Sequence, residues 1–176
     1  MCIRDRYAGQ LVENDGGPGI VDILEFLKAS DHPASDQRSF MKAQIVFWLL
    51  AATDGHAKNF SIFLYPGGGF ELTPLYDVLS TQHLYDAGTL TRRDMKLAMS
   101  VGNSNHYRLH DIVSRHFLQT AARVGMPGTE VDAVIDELKD QVPAALDAVR
   151  DEPGVYLAEE LANSICEGAE SRLQRL

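Results

Sequence analysis

The side chains best suited to chemistry are concentrated in one short segment of this 176-residue sequence. Residues 53–59 read Thr-Asp-Gly-His-Ala-Lys-Asn and separate an apolar stretch from a run of aromatic and β-branched residues. The segment contains a carboxylate at Asp54, an imidazole at His56, an ammonium group at Lys58 and a carboxamide at Asn59. Because loops between rigid elements commonly carry binding and catalytic groups, this segment is the first candidate for a functional site.

The order of the acidic and amide side chains indicates phosphoryl transfer. Asn59 follows Asp54 at the spacing with which a kinase catalytic loop carries its base and a magnesium-binding amide. That spacing is common in polar loops, but a second acid, Asp77, also follows a predicted strand pair, as the metal-binding Asp of a kinase does. Together these residues supply a carboxylate for the attacking hydroxyl and oxygen ligands for Mg²⁺. Lys58 adds a cation that can reach a phosphate.

Histidines offer weaker candidates. A lone loop histidine such as His56 is more often a structural hydrogen-bonding residue than a metal ligand or a general base. His106, His110 and His116 fall in one segment, but their spacing does not place three imidazoles on one face. His106 and His110 lie at i and i+4, and we favour surface placement of this pair over a zinc site.

The elements that must position the candidate segment are predicted from apolar periodicity. A stripe of apolar residues indicates a helix that starts near Pro18, and a second, buried helix is predicted over 40–50, after Pro33 as a breaker. Residues 59–73, with Pro-Gly-Gly-Gly at 66–69, indicate a β-hairpin. A strand-like run follows those glycines where a phosphate loop would be followed by a helix.

The C-terminal part of the chain is predicted to be helical. Helices are expected over 110–124 and 129–149, followed by a final helix that includes Leu157. Thr129 and Asp132 have the spacing of a capping box, and Pro143 is predicted to kink or break its helix. The predicted fold class is therefore mainly α with a small β-hairpin.

Composition narrows the functional class. The net charge is −9, which opposes binding to nucleic acid or an anionic membrane unless a local basic patch overrides it. Cys2 and Cys166 lie at opposite ends of the chain and indicate neither a disulfide framework nor a zinc site, which favours a reducing cytoplasm. No apolar run reaches the roughly 18 residues that indicate a membrane span, so no membrane partner is expected.

Longer motifs resemble the HipA-type serine/threonine protein kinases, which are toxins of toxin–antitoxin systems. The similarity runs from about Glu13 to the C-terminal helices and implies the C-terminal lobe of a protein-kinase-like α+β fold. The matching segments are DGGPG at 15–19, FMKAQIVFWLLAATDGHAKNFSIFL at 40–64, LTPLYDVLST at 72–81, KLAM at 96–99 and RHF at 115–117.

The resemblance also implies roles for individual residues. It makes Asp54 the catalytic base and Asn59 and Asp77 the metal ligands. Val78 follows Asp77, where other kinases have phenylalanine, as the HipA pattern expects. The residues implied to line the site of ATP and Mg²⁺ are His56, Lys58, Asn59, Tyr76 and Asp77.

Partners follow from the same resemblance. It implies a HipB-like helix-turn-helix antitoxin and a protein substrate, such as an aminoacyl-tRNA synthetase. Family members can touch operator DNA through basic residues in the helix after the RHF motif. Here Ala122 and Gly125 occupy the matching positions and only Arg123 nearby is basic, so direct DNA contact by this chain is not expected.

The expected domain organisation is a single kinase C-terminal lobe over residues 7–176, preceded by a non-native leader at 1–6. The sequence contains no pattern for the ATP-covering lobe or its strand lysine, so we expect the isolated chain to be inactive as a fragment of a larger protein. Two other functions stay open. One is a non-catalytic, antitoxin-binding module derived from a HipA-like protein, and the other is a metal-dependent hydrolase that uses Asp54, His56 and Asp77.

Overall fold

A computed structural model describes residue 13 and residues 16–151 and 158–176. The described part contains six α-helices and four β-strands, together with short 3₁₀ turns at Ala57–Asn59 and Leu109–Asp111. The predicted leader, Asp15 and Leu157 lie outside these residues. The elements in chain order are α1 (Ile20–Leu27), α2 (Pro33–Leu49), β1 (Ile62–Leu64), β2 (Phe70–Leu72), α3 (Gln82–Asp86), β3 (Lys96–Val101), β4 (His106–Arg108), α4 (Ser114–Arg123), α5 (Gly128–Asp151) and α6 (Glu159–Leu173). The predicted class, mainly α with a small β component, is confirmed.

Helix α2 is the centre of the fold and packs against α1, α5 and α6. Its predicted apolar stripe is buried, and Phe40, Ile45 and Trp48 have no exposed surface. The Trp48 indole N–H donates to the Leu109 carbonyl at 3.0 Å, so the polar atom of this large side chain is satisfied within the core. The rings of Trp48 and Phe117 also meet edge to face, with 5.9 Å between ring centroids.

Pro33 begins helix α2, so the prediction that the second helix starts only at Phe40, after Pro33 as a breaker, was wrong. Proline is favoured at the first helical position because the N–H that it lacks would have no partner within the helix there. The preceding residue, His32, supplies the carbonyl that accepts the N–H of Asp36 at 2.9 Å. The polar residues after Pro33 therefore form the first turns of α2.

The predicted hairpin is confirmed as the antiparallel pair of β1 and β2, with Ile62 opposite Leu72. Hydrogen bonds at both ends of β2 attach it to the rest of the fold. The Phe70 carbonyl accepts the N–H of Asp31 at 2.8 Å, and the N–H of Leu72 donates to the buried carboxylate of Asp36 at 3.2 Å. Helix α2 therefore fixes the strand that leads toward Asp77.

A second antiparallel pair, β3 and β4, was not predicted as strands. Leu97, Met99 and Val101 alternate toward the core, but Ser100 is buried as well, so the burial pattern is irregular. Strand β3 packs against α1 and α4. Packing against these helices determines the strand, and local periodicity carries only a weak signal for it.

The C-terminal helices depart from the predicted boundaries. Helix α5 starts at Gly128, so Thr129 lies inside the helix and does not cap it. Pro143 is exposed within α5, and the helix continues through it to Asp151, so the predicted break does not occur. Packing of α5 against α2, α4 and α6 compensates for the hydrogen bond that proline cannot make.

The thiol of Cys166 is buried in α6, and burial raises its pKa above the usual value for cysteine. Its Sγ lies 3.8 Å from the Leu146 carbonyl in α5. Cys166 is thus part of the packing between the last two helices. Within the described residues, none of the helices combines the length and apolar character needed to cross a membrane.

We expect Trp48→Phe to lower the free energy of unfolding by about 1–3 kcal/mol, because it removes a buried hydrogen bond and leaves a void. The matched control is Phe63→Leu, since Phe63 is 47% exposed and its change should stay within about 0.5 kcal/mol. Urea unfolding of both variants measures the difference. Equal unfolding midpoints for the two variants would contradict the central role of Trp48.

Candidate active site

The candidate segment begins where α2 ends in a Schellman motif. The N–H of Ala52 donates to the Phe47 carbonyl at 2.8 Å and that of Ala51 donates to the Trp48 carbonyl at 3.2 Å. Ala51 has φ 52°, the left-handed conformation that this motif requires at that position. The chain therefore leaves the helix in a direction determined by buried backbone contacts.

Gly55 allows the loop to lie directly on the core. A Cβ atom at this position would be 2.1 Å from Cδ2 of Phe47, so no larger residue fits without displacement of the loop or the ring. The N–H of His56 donates to the Asp54 carbonyl at 2.9 Å, which makes the backbone turn tightly around Gly55. The loop that carries Asp54 is thus held against α2 by packing.

The Asp54 carboxylate faces solvent. Its side chain is 80% exposed, and its Oδ1 lies 3.7 Å from Nε2 of the mostly buried His56. Asp54 and Thr53 border a cleft of about 570 Å³ that extends to β3 and β4, including Lys96 and Arg108. A carboxylate at the edge of an open cleft can accept a proton from a hydroxyl group that enters the cleft.

Asn59 lies in a 3₁₀ turn, is only 3% exposed and links the loop to Asp77. Its amide Nδ2 donates to Oδ2 of Asp77 at 2.6 Å, and its Oδ1 accepts the N–H of His56 at 3.1 Å. These two bonds fix the orientation of the amide. The structure therefore brings the two predicted metal ligands, Asn59 and Asp77, into direct contact.

Asp77 itself has φ 58°, a left-handed conformation that is uncommon for residues other than glycine, although aspartate adopts it more often than most. Such conformations cost roughly 1–3 kcal/mol and occur most often at functional sites. Asp77 is exposed, whereas its partner Asn59 is buried. The strained backbone turns the carboxylate back toward the amide.

Tyr76 joins the same two segments through its phenol. The hydroxyl donates to the Lys58 carbonyl at 2.9 Å and lies 2.7 Å from the hydroxyl of Ser61. Since the phenol hydrogen is used by Lys58, Ser61 must be the donor in the second bond. In this arrangement the predicted residue Lys58 contributes its backbone carbonyl.

Thr81 provides a further connection that the sequence did not suggest. Its N–H and its hydroxyl both donate to the Ala51 carbonyl, at 3.0 Å and 2.9 Å. The Thr53 hydroxyl lies 3.4 Å from that of Thr81. Ser61 and Thr81 are thus site residues that sequence reasoning missed, and their only signal was their place within the matching motifs.

The other histidines form a contact that the spacing did not predict. His106 and His116 stack with 4.0 Å between ring centroids, and His116 is buried. Nδ1 of His116 accepts the N–H of Val113 at 3.2 Å, and burial lowers the pKa of this imidazole. His106 and His110 are half-buried, so the predicted surface placement was only partly right. Within the described chain, no three His, Cys, Asp or Glu side chains are grouped as metal ligands would be.

Asn59 and Asp77 have the donor chemistry for Mg²⁺ in the presence of a nucleotide. Mg²⁺ binds through one or two carboxylates together with substrate phosphates and water. Asp77 uses one carboxylate oxygen in its bond to Asn59, and its other oxygen has no hydrogen-bond partner among the described residues. Asn59 Oδ1 keeps a second lone pair. These two side chains therefore fit a magnesium ion shared with phosphate oxygens.

Two solved structures have the same fold. One is a chain from the Shewanella oneidensis MR-1 toxin–antitoxin complex of HipA, HipB and operator DNA, with a TM-score of 0.66 and 21% identity over 90% of this chain and 35% of that one. The other is the Helicobacter pylori proinflammatory kinase CtkA, with a TM-score of 0.51 and 10% identity over 92% of this chain and 62% of that one. The fold is therefore that of a kinase-like C-terminal lobe.

The family is shown by sequence. Residues 5–146 match the model of the HipA-like C-terminal domain, and the chain belongs to that family. It is also 30% identical over 141 residues to the Sinorhizobium fredii (strain NBRC 101917 / NGR234) protein named "Putative kinase Y4mE". That match covers 78% of this chain and 32% of the relative, so the chain spans about a third of the relative's length.

We expect Gly55→Ala to lower the free energy of unfolding by about 1–3 kcal/mol, because the added methyl group overlaps the Phe47 ring. The control is Gly128→Ala at the start of α5, where the nearest atom to a Cβ is 3.5 Å away. That change should be neutral or stabilise the protein by up to about 1 kcal/mol. Urea unfolding compares the two, and an unchanged midpoint for Gly55→Ala would show that the loop does not depend on this packing.

Proposed function

We propose that this chain carries the catalytic loop and the magnesium-binding pair of an ATP-dependent serine/threonine protein kinase. The observation that carries the proposal is the 2.6 Å contact between Asn59 and Asp77. It joins the amide of Asn59, whose spacing from Asp54 matches a kinase loop, to the acid that follows the hairpin, Asp77. Family membership supports the same chemistry.

In the proposed reaction, Asp54 accepts the proton of the substrate's serine or threonine hydroxyl. Its exposure and its position at the open cleft give a protein segment access to the carboxylate. Nε2 of His56 lies 3.7 Å from Oδ1 of Asp54 and borders the carboxylate on one side. The base contributes orientation and proton transfer, since phosphoryl transfer depends mainly on positioning and charge neutralisation.

Asn59 and Asp77 would hold Mg²⁺, which when bound with ATP neutralises charge on the transferred phosphoryl group. The proposed nucleotide-lining set is His56, Lys58, Asn59, Tyr76 and Asp77. Tyr76 contributes by tying the Lys58 backbone to the segment that carries Asp77. This chain's own residues therefore orient the metal ligands through hydrogen bonds that exist before any ligand arrives.

The proposed biological setting is a cytoplasmic toxin–antitoxin system. The Shewanella oneidensis MR-1 structure contains HipA, HipB and operator DNA, which supports a HipB-like helix-turn-helix antitoxin as partner. A protein substrate such as an aminoacyl-tRNA synthetase is part of the proposal by family resemblance. Because the chain spans about a third of its curated relative, the activity proposed is that of the whole protein.

The proposal is tested in the full product of the gene that encodes this chain, with transfer of labelled phosphate from ATP to protein as the measurement. Asp54→Asn should reduce kcat by about 10²–10⁴-fold, because it removes the base. Asp111→Asn is the matched control, since Asp111 is an exposed acid on the same cleft, and its activity should stay near that of the parent. Full activity of Asp54→Asn would refute the assignment.

Measurements of nucleotide binding distinguish the role of the base, Asp54, from that of the metal ligand, Asp77. Asp77→Asn should weaken magnesium-dependent ATP binding by about tenfold or more, because a bond to a charged group contributes roughly 1.5–3 kcal/mol. Asp54→Asn should leave that binding nearly unchanged. Isothermal titration of both variants with ATP, with and without Mg²⁺, measures the difference. Antitoxin binding without any magnesium-dependent ATP binding in the parent would favour the non-catalytic module instead.

A further inference from the structure

Arg172, near the end of helix α6, has a guanidinium group buried against the start of the candidate site. The residue is 9% exposed. Its Nε donates to the Leu49 carbonyl at 2.8 Å, and its Nη1 donates to Oε1 of Gln82 at 2.8 Å. One planar side chain therefore holds the last residue of α2 and the first residue of α3 at the same time.

The Gln82 side chain is itself fixed on both sides. Its Nε2 donates to Oδ1 of Asp86 at 2.9 Å, and the other oxygen of Asp86 accepts the Ser164 hydroxyl of α6 at 2.6 Å. Helix α6 passes so close that a Cβ at Gly168 would lie 2.5 Å from Cδ of Gln82. Gln82 thus presents its carbonyl oxygen to Arg172 in one defined orientation.

The two residues that Arg172 grips lie next to the proposed catalytic groups along the chain. Leu49 precedes Asp54 by five residues, and Gln82 follows Asp77 by five residues. Between them, Thr81 is bonded to the Ala51 carbonyl. Arg172 therefore links the chain just before the Asp54 loop to the chain just after the Asp77 segment.

Burial of Arg172 carries an energetic cost. Burial lowers the pKa of Arg172 to about 10, and its Nη2 is buried with no hydrogen-bond partner among the described residues. A buried cation with an unpaired N–H is unfavourable compared with a well-packed apolar side chain. A cation beside the carbonyl end of α2 does have a use, because α2 has no basic residue in its own last turn.

We infer that Arg172 is a positioning residue, through which helix α6 sets the relative placement of the Asp54 loop and the Asp77 segment. Its effect on catalysis rests on the proposed kinase function. Its coupling of the two segments can be tested without an activity measurement. Arg172 does not touch the reacting groups and acts through Leu49 and Gln82. A displacement of α6 would therefore shift the Asp54 loop and the Asp77 segment together.

The test compares Arg172→Lys with Arg175→Gln in the full gene product. Lysine keeps the charge but cannot span two acceptors with a rigid fork. Arg175 lies two residues after the end of α6, donates to the carbonyls of His110 and Ile112 and lies over the Trp48 ring, but it bonds to neither Leu49 nor Gln82. We expect a kcat about tenfold to a hundredfold lower for Arg172→Lys, with a small change for Arg175→Gln at comparable melting temperatures.

Amide hydrogen exchange supplies the second measurement. In Arg172→Lys, the N–H groups of Asn59 and Thr81 should exchange at least about tenfold faster than in the parent, because local opening of both segments becomes easier. In Arg175→Gln, faster exchange should be confined to residues near 109–112. If Arg172→Lys folds poorly, Gly168→Ala takes its place, because the added methyl group on the same helix displaces Gln82 and should give the same exchange pattern.

The outcomes separate this inference from the proposed function. If Arg172→Lys and Arg175→Gln show the same amide exchange rates at Asn59 and Thr81, the inference is overturned, whatever the kinase assay gives. If the parent transfers no phosphate, the proposed function fails, and the exchange pattern still decides whether Arg172 couples the two segments. Faster exchange in both segments with a selective fall in kcat would support both.

Discussion

The candidate site depends on the hydrogen bonds that the backbone carbonyl of Ala51 accepts. It lies just after α2 and accepts hydrogen bonds from both the N–H and the hydroxyl of Thr81, at 3.0 Å and 2.9 Å. Ala51 is fully buried, and an unpaired polar group there would cost roughly 1–3 kcal/mol. Satisfying this carbonyl brings the segment after Asp77 against the segment before Asp54. One interaction therefore serves both the stability of the fold and the assembly of the site.

Two strained residues mark the same region. Ala51 and Asp77 both have left-handed backbones, with φ of 52° and 58°, where glycine would be less strained. Each is held by neighbouring contacts: the Schellman hydrogen bonds for Ala51 and the bond from Asn59 for Asp77. Strain of this kind persists only where the surroundings determine the conformation. The rigid apolar core around α2 supplies that support, and the polar contacts then set the orientation of the site residues.

Local sequence patterns predicted the elements whose signal is strong and failed where tertiary packing decides. The apolar stripe of α2 and the hairpin around the glycines at 66–69 were found because their periods and turn chemistry are local. Pro33 and Pro143 misled the prediction because proline at a helix start, or within a long packed helix, does not end it. Strand β3 was missed because its neighbours α1 and α4 determine which of its side chains are buried.

The sequence by itself determined the chemistry available at the site: a loop with Asp54 and Asn59 at fixed spacing, and Asp77 beyond a hairpin. The tertiary structure decided which groups meet and how they are held. The contact between Asn59 and Asp77 spans 18 positions in the chain, and that between Arg172 and Leu49 spans 123. Hydrogen bonds between such distant residues leave no periodic pattern in a sequence, because they depend on where the packed helices place each backbone carbonyl.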